Sequence, residues 1–541
     1  AATRVNADGN IEKETQNLLL QSNSFDTTWG TSNTSIASGQ SGYDGSSDAW
    51  LLTSTAGGGA IGQSISSSGV QTFSVYAKVG TLNWMAMTIS GLSPSQAYFD
   101  LANGALGSSG SEIITSNIES VGGGWYRCSV LVNGAVSGVN IYPANANNQV
   151  SVLGSIYIQD AQLNQGLIAQ EVITTTTTAL YGGITDNTPR LDYTDSSCPA
   201  LLLEPQRTNI VPHSEYLEDL SSVNASLSAN EAISPDGGNN ATKLGAFVAA
   251  PSNQWARYFN IVQPNQKQAL SIYAKAGNID DFTITYYDQS TGDLFFNYDL
   301  GAGSVSAPTG NANYVDADIQ DLGNGWYRCI AVANAQASGT NAQFQISAGV
   351  QRVVSNIGDY VYIYGYQWEQ DATYPTSYIP TYGSSVTRVA ESNSVTGVSN
   401  LIGQTEGVVF IEFKFNANQG MAFQIADSSS YTNAIYLERN GSTSMILNCY
   451  VSGFSQVGIT LGSLVDGQTY KVAVAYKLND FAVYRNGSLI GTDNSATIPA
   501  SLNNLYIGNY GAAAGFELPI NQTLLFKTRL SNEELATLTT I

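Results

Sequence analysis

Short pulses of apolar residues at every second position run the length of the chain, the period of a strand with one face buried. Phe73, Val75 and Ala77 alternate with Ser74, Tyr76 and Lys78; the same spacing returns in Val409, Ile411, Phe413 and Phe415 and in Tyr470, Val472, Val474 and Tyr476. Turn signals separate the pulses. They include Gly122-Gly123-Gly124, Gly323-Asn324-Gly325 and Arg485-Asn486-Gly487-Ser488, where Asn-Gly suits the positive φ angles of a tight hairpin. A helical signature surfaces at the end, where Ser531-Asn532-Glu533-Glu534 has the form of a capping box ahead of Leu535 and Leu538. These patterns predict an all-β chain closed by one short helix.

The pulses repeat. Asn17-Leu18-Leu19-Leu20-Gln21-Ser22 is answered by Asn209-Ile210-Val211-Pro212-His213-Ser214, and Phe73-Ser74-Val75-Tyr76-Ala77-Lys78 by Leu270-Ser271-Ile272-Tyr273-Ala274-Lys275. Gly124-Trp125-Tyr126-Arg127-Cys128 matches Gly325-Trp326-Tyr327-Arg328-Cys329, and Ala161-Gln162-Leu163-Asn164-Gln165 matches Tyr366-Gln367-Trp368-Glu369-Gln370. The offset grows from 192 at Asn17 to 205 at Gln162 without a break in order, as a duplicated unit with small loop insertions requires. In the Trp-Tyr-Arg-Cys strand, Tyr126 and Cys128 should face inward. Trp125 and Arg127 should face outward, with the arginine stem laid along the indole.

Five segments follow: an arm or linker at 1–16, a first repeat at 17–166, an extended connector at 167–205, a second repeat at 206–385 and a different sandwich at 386–541. The connector contains the run Thr174–Thr178, which its β-branched side chains should hold as a stretched strap. Thr387-Arg388-Val389 recurs as Thr3-Arg4-Val5, so the arm resembles the end of a preceding unit.

Composition narrows the function classes. Charged residues make up 11% of the 541, with 53 Gly and 31 Tyr, and the net charge of −22 repels nucleic acid and anionic membranes. The polar opening, residues 1–9, does not read as a signal peptide, and apolar runs fall short of the roughly 18–20 residues a spanning helix needs. Cys128, Cys198, Cys329 and Cys449 are far apart in sequence and form no CxxC pattern; they are expected to be buried free thiols, as suits assembly in a reducing cytoplasm.

Catalytic candidates are few. The single histidine, His213, stands opposite Gln21 of the first repeat, and no HExxH, GxSxG, phosphate loop or dinucleotide fingerprint is present. Glycoside hydrolysis needs only two carboxylates. Asp160 and Glu369 near strand ends are the candidates for it, but Glu369-Gln370-Asp371 does not continue into the ExDxxE pattern of lectin-fold glucanases. Saccharide binding needs exposed rings beside amides or carboxylates. Trp84 and Tyr98 in the first repeat, Trp255 and Tyr287 in the second, and Tyr450, Phe454, Tyr510 and Phe516 in the last segment are the candidates, with core packing the competing role for each. Calcium at a sandwich rim has no compact Asp/Asn loop motif behind it, and no cofactor is expected.

The last segment resembles the laminin-G-like, concanavalin-A-like fold in the order Tyr470-Lys471-Val472-Ala473-Val474, Phe481-Ala482-Val483-Tyr484-Arg485-Asn486-Gly487, Leu505-Tyr506-Ile507-Gly508 and Leu530-Ser531-Asn532-Glu533-Glu534-Leu535. The repeats resemble the carbohydrate-binding-module-type, jelly-roll-like sandwiches of bacteriophage virion proteins. The residues that carry this are Leu201-Leu202-Leu203-Glu204-Pro205-Gln206-Arg207-Thr208-Asn209 with Ser214-Glu215, Gly325-Trp326-Tyr327-Arg328-Cys329, and Ser377-Tyr378-Ile379-Pro380-Thr381. The resemblance implies a non-enzymatic virion surface protein: a head fibre, decoration or tail-associated component assembled in the host cytoplasm. It would attach to other virion proteins through its arm or first repeat and meet host glycans. A homo-oligomer, with a trimer as the form common among fibres, belongs to the same expectation, although no heptad repeat fixes a number. The alternatives are a bacterial glycan-binding or glycan-cleaving protein and a ligand-free spacer.

Overall fold

The computed structural model describes residues 2–185, 188–194, 196–248, 253–258, 265–288, 292–335, 343–391, 393–415, 420–508 and 519–541. The chain is all-β and made of three sandwiches. They fall into two compact units, one of Ala1–Thr3, Asn10–Asp186 and Thr208–Val386, the other of Arg4–Gly9, Asn187–Arg207 and Thr387–Ile541. Among the described residues no helix is long and apolar enough to cross a membrane.

The first unit holds the duplicated sandwiches, each of two six-stranded antiparallel sheets. In the first, one sheet runs Ala105–Ser109, Gln96–Asp100, Trp84–Ser90, Val136–Ala144, Ala60–Ser67, Gly30–Ser32. The facing sheet runs Thr115–Gly122, Trp125–Asn133, Val70–Val79, Gly154–Gln165, Ala49–Ser54, Thr34–Gln40. The second sandwich has the same strand order, and Cys128 opposite Val75 is matched by Cys329 opposite Ile272. Both thiols are fully buried between sheets, and burial raises their pKa. Cys449 is buried as well, but Cys198 is exposed, since it sits in a loop that no core strand claims.

Two local expectations change. Strand Val70–Val79 is buried on both faces from Val70 to Ala77, not on one. Its outer face is covered by the segment after Gln165, whose Gly166 carbonyl accepts from Thr72 Oγ1 at 2.8 Å. Arg127 does not lie along Trp125. Its guanidinium is 5.4 Å from the ring centroid of Tyr76, its partner on the neighbouring strand, and Arg328 repeats this over Tyr273 at 5.8 Å. The cross-strand ring is within reach of a long side chain in a way that the residue two places along the same strand is not.

The threonine run is a strap, and it belongs to the repeat. Asn17 Nδ2 donates to the Ile173 carbonyl at 2.9 Å while its Oδ1 accepts from Leu19 and Leu163; Asn209 does the same with Ile379, Val211 and Trp368. Thr175 and Ser22 exchange side-chain and backbone bonds, as do Thr381 and Ser214. The pairs Ile173/Ile379 and Thr175/Thr381 stand 206 apart, one step beyond the drift seen in sequence. Thr175 alone of the five is buried.

The rest of the connector contributes strands to the second unit. Leu191–Asp192 and Ala200–Leu201 are the edge strands of a seven-stranded sheet in the second unit, and Leu203 enters its core. That sheet continues Ile520–Phe526, Glu406–Lys414, Thr469–Lys477, Phe481–Arg485, Ser488–Asp493, and it faces a six-stranded sheet of Asn393–Thr396, Asn504–Ile507, Met421–Ala426, Ala434–Arg439, Met445–Val451 and Phe454–Thr460. The helix Asn532–Leu538 has both capping-box bonds, and Leu535 packs on Val408, Phe410 and Tyr484. Asn486 and Gly487 carry the positive φ of the hairpin. The arm is no free linker either: Ile11 is buried beside Trp326 and Tyr378, and Lys13 reaches into the second sandwich.

Candidate functional site

The pleat of the first sandwich decides where its candidate rings go. Met85, Met87 and Ile89 point into the core, so Trp84, Ala86, Thr88 and Ser90 point out. Ala97 and Phe99 likewise leave Gln96, Tyr98 and Asp100 outside, and Val139 with Ile141 leaves Asn140 and Tyr142. Register then sets Tyr98, Ala86 and Tyr142 in one row across three strands, with Asp100, Trp84 and Ala144 in the next and Gln96, Thr88 and Asn140 on the other side. The result is an outward-facing aromatic patch in which Trp84, Tyr142 and Val150 pack against Ala86, Tyr98 and Ala144.

Each group is held. Tyr98, 6% exposed, donates its hydroxyl to Gln96 Oε1 at 2.8 Å; burial, then the nearby Tyr142, pushes its pKa up. A Cβ on Gly107 would come within 2.8 Å of both the Trp84 ring and Tyr98 Cβ, so glycine there lets the indole lie against the sheet edge. Asn140 Nδ2 donates to Thr88 Oγ1 and Ser90 Oγ at 3.3 and 3.1 Å. Asp100 spends both oxygens on the turn at Ala102 and Asn103. Trp84 and Tyr142 stay half-buried, presenting ring surface next to amides and hydroxyls with no free charge. Such a surface stacks on the apolar face of a pyranose and reads its hydroxyls. Of the candidates named from the sequence, Trp84 and Tyr98 share this face; Tyr142 and Asn140, which share it too, were not named, although the alternation Val139, Ile141 places them there.

The second sandwich brings Trp255 and Tyr287 to its corresponding face, but other chemistry is built there. Arg257 lies 4.5 Å from the Trp255 ring centroid and donates to Gln343, the register partner of Tyr287. Arg352 lies over Phe295, donates to Gln345 Oε1 at 2.6 Å and pairs with Asp293. Guanidinium groups cover both Trp255 and Phe295. The Leu101–Asn83 and Leu300–Asp280 backbone bonds match, and with the shared register they equate Trp84 with Asp281, Tyr98 with Asn297 and Tyr142 with Ser347. The two copies keep their inward residues apolar and differ on the outward face.

In the second unit Tyr450 stacks on Tyr436 at 6.0 Å and 18°, with Tyr431 on that ring at 4.6 Å. Beside them Asn448 Nδ2 donates to Glu438 Oε1 at 2.9 Å, and burial raises the Glu438 pKa. Sequence reasoning missed Tyr431, Tyr436 and Glu438; the alternation opposite Ile435 and Leu437 carried the signal for the last two. Phe454 is 74% exposed after the Ser452-Gly453 turn. Tyr510 and Phe516 lie outside the described residues.

The two candidate carboxylates do not meet. Glu369 is fully buried and accepts from Thr376 N, Thr376 Oγ1 and Gln367 Nε2, which fixes the strap of the second sandwich. Asp160, in the first sandwich, has a positive φ that Gly365 shares in the second, and accepts from Tyr43 Oη at 3.1 Å. Burial raises the Asp160 pKa to about 6; Tyr43 opposes the shift, and Asp48 and Asp44 add to it. The folded state therefore holds this proton more tightly than the unfolded one, and Asp160 costs stability as pH rises from about 4 through 6. Asp160→Asn, neutral and tolerant of that φ, is expected to be more stable than the parent at pH 8 by about 1–2 kcal/mol and nearly equal at pH 4. Urea unfolding at the two pH values checks this; an equal gain at both would refute it. His213 is half-buried, 3.4 Å from Asp219, and burial lowers its pKa. Among the described residues no group of three or more His, Cys, Asp or Glu side chains is placed to hold a metal ion.

No family model and no curated protein sequence matches the chain. Solved structures similar to it include the Ruminococcus gnavus IT-sialidase CBM40 bound to alpha2,3 sialyllactose, at 16% identity over 28% of this chain and 96% of that one, TM-score 0.23. The CBM22-1-CBM22-2 tandem of Paenibacillus barcinonensis Xyn10C is 10% identical over 63% of this chain and 92% of that one, TM-score 0.20. Mouse laminin alpha1 domains LG4-5 are 12% identical over 50% and 85%, TM-score 0.19. Likenesses this distant do not bear on ligand or role.

Proposed function

We propose that the chain binds saccharides without cleaving them, and that the patch of Trp84, Tyr98 and Tyr142 is the principal site. The observation that carries this is the outward row of rings over alanine, flanked by Gln96 and Asn140, on a sheet whose duplicate lacks those rings at the same positions. A core requirement would have kept them in both copies. On a glycan array the full chain is expected to retain neutral oligosaccharides, and Trp84→Ala to lose at least tenfold in affinity with folding intact, a ring-stacking contact being worth more than about 1.4 kcal/mol. A blank array, or Trp84→Ala binding like the parent, overturns the reading.

We further propose that this binding serves a bacteriophage virion surface protein, of head-fibre, decoration or tail-associated type. What supports that step is the resemblance of the repeat phrases described above. With Ile11 and Lys13 engaged within the chain, attachment to other virion proteins through the arm has less support than attachment through the first sandwich. Gold-labelled antibody to the chain should decorate purified phage particles; label confined to the supernatant rejects the placement.

A further inference from the structure

In the second sandwich a loop of the chain lies over the face that carries the aromatic patch in the first. Register equates Ala86 with Thr283, and the row Gln96, Thr88, Asn140 with Phe295, Thr285, Gln345. Phe282, Ile284 and Ile346 point into the core, so Thr283, Thr285 and Ser347 point out. All three are nonetheless fully buried. The loop after strand Gln343–Ala348 folds back on them: the Gln351 N–H donates to Thr283 Oγ1 and Asn297 Oδ1, both at 3.0 Å, and Thr283 Oγ1 donates to the Gly349 carbonyl at 2.7 Å. Arg352 then crosses the next row. Its guanidinium lies 5.2 Å from the Phe295 ring centroid, donates to Gln345 Oε1 at 2.6 Å and pairs with Asp293.

The cover fits badly. Thr285 Oγ1 and Ser347 Oγ are buried on this face without a hydrogen-bond partner, as are Arg352 Nε and Asp293 Oδ1, although buried polar groups normally find one. Gln351 and Arg352 stand in succession at φ 50° and 67°, the left-handed region that such side chains rarely adopt. The first copy is the control. There Thr88 Oγ1, at the place of Thr285, accepts from Asn140 Nδ2 at 3.3 Å. Its matching loop, closed by an Ala146–Gln149 bridge as the second is by Val350–Val353, is tied to the edge strand Ala105–Ser109 instead: Asn147 Oδ1 accepts from Ser108 N and Ser108 Oγ, both at 2.9 Å. The same loop stands aside in one copy and lies down in the other.

We propose that the outer face of the second sandwich is a second saccharide site, closed by the loop of Gln351 and Arg352 until a ligand displaces it. The ligand class rests on the saccharide reading of the Trp84 patch; the closure does not. With the loop lifted, the Phe295 ring offers a stacking surface and Thr283, Thr285 and Ser347 offer hydroxyls to those of a neutral sugar. A sugar gives Thr285 and Ser347 the partners that the loop withholds, and release of the left-handed pair favours the open state further. The apparent affinity of the parent is lowered by the fraction of molecules that stay closed.

The test is an array of neutral oligosaccharides probed with the full chain. Arg352→Ala removes the contacts that hold the loop down and keeps its backbone strain. It should bind at least one glycan at least about tenfold more tightly than the parent. Adding Thr285→Val or Ser347→Ala should abolish that gain without lowering the thermal midpoint, since each removes a buried hydroxyl that has no partner. Absence of a gain in Arg352→Ala overturns the closed site, whether or not the parent binds through Trp84. A gain that survives both added substitutions also overturns it, because the glycan is then held elsewhere. A gain over a parent that binds nothing supports the closed site and counts against the Trp84 patch alone.

Discussion

Replacing Glu204 with Ala is expected to destabilise the second unit by about 3–5 kcal/mol, because it strips two buried guanidinium groups of their shared carboxylate. Glu204 Oε2 accepts from Arg190 Nη2 at 2.7 Å and from Arg388 Nη1 at 2.6 Å, and all three side chains are 3% exposed or less. Glu391 pairs with Arg190 from the other side and accepts from the Glu204 backbone N–H at 2.8 Å. Burial alone would lower the Arg190 pKa, but Glu204 and Glu391 outweigh it and the net shift is upward. Once Glu204 is gone, Arg190 keeps Glu391 and Arg388 keeps the Pro205 carbonyl, but both lose the carboxylate they share. The cluster clamps 188–205 to the strand entering the sandwich, so Leu203 should loosen with it. All seven tryptophans fall between residues 29 and 368, so indole fluorescence is blind to this unit. Hydrogen exchange in Glu406–Lys414 and Thr469–Lys477 should accelerate while the tryptophan unfolding midpoint stays put. Unchanged exchange there would show the cluster to be energetically idle.

Much of the fold was legible in the sequence because its signals are local. The period of two, the Asn-Gly hairpin and the capping box each need only a few neighbouring residues, and the matched phrases kept Cys128 and Cys329 in register across some two hundred residues. What failed was long-range. Nothing near Thr175 announces that it bonds Ser22, because the strap acquires meaning only once Asn17 has captured the Ile173 carbonyl. Burial on both faces of Val70–Val79 likewise depends on that strap. The strands within the connector carry no sequence signal, because Leu191–Asp192 and Ala200–Leu201 are two residues each, too short to show a period, and one of them pairs with Ile520–Phe526 more than three hundred residues on. The proposed site was half legible. Trp84 and Tyr98 stand out by residue type, but their grouping with Tyr142 is a matter of register, which pairs strands some forty residues or more apart.

Lys13 is a further long-range case, since its partners lie more than two hundred residues away, and its replacement should have the other large effect. Its ammonium is 2.6 Å from Asp236 Oδ2, 2.9 Å from Glu215 Oε1 and 2.9 Å from the Tyr364 hydroxyl, in a pocket where Glu215 is 1% exposed. Burial opposes the charge on Lys13, but Asp236 and then Glu215 raise its pKa well above the ordinary value. Burial likewise works against ionised Asp236, yet the ammonium holds its carboxyl well below the usual range. A depressed carboxylate contributes stability above its unfolded pKa and loses it as pH falls toward the folded value, so the parent should weaken on acidification below about pH 4. Lys13→Met keeps the length of the stem and removes the cation, leaving two buried carboxylates with no counter-ion from the arm. The expected loss at pH 7 is about 3–5 kcal/mol. The pH dependence should also reverse, because carboxyls left in a desolvated pocket take up protons above their unfolded pKa, and the variant then gains stability as pH falls from 7 toward 5. Ile11 packs beside Trp326, so the tryptophan transition that ignores Glu204→Ala should report this change directly. A variant that loses stability in parallel with the parent at every pH would mean that Lys13 contributes packing alone; recovery of the loss by adding Glu215→Gln and Asp236→Asn would locate it in the stranded charges.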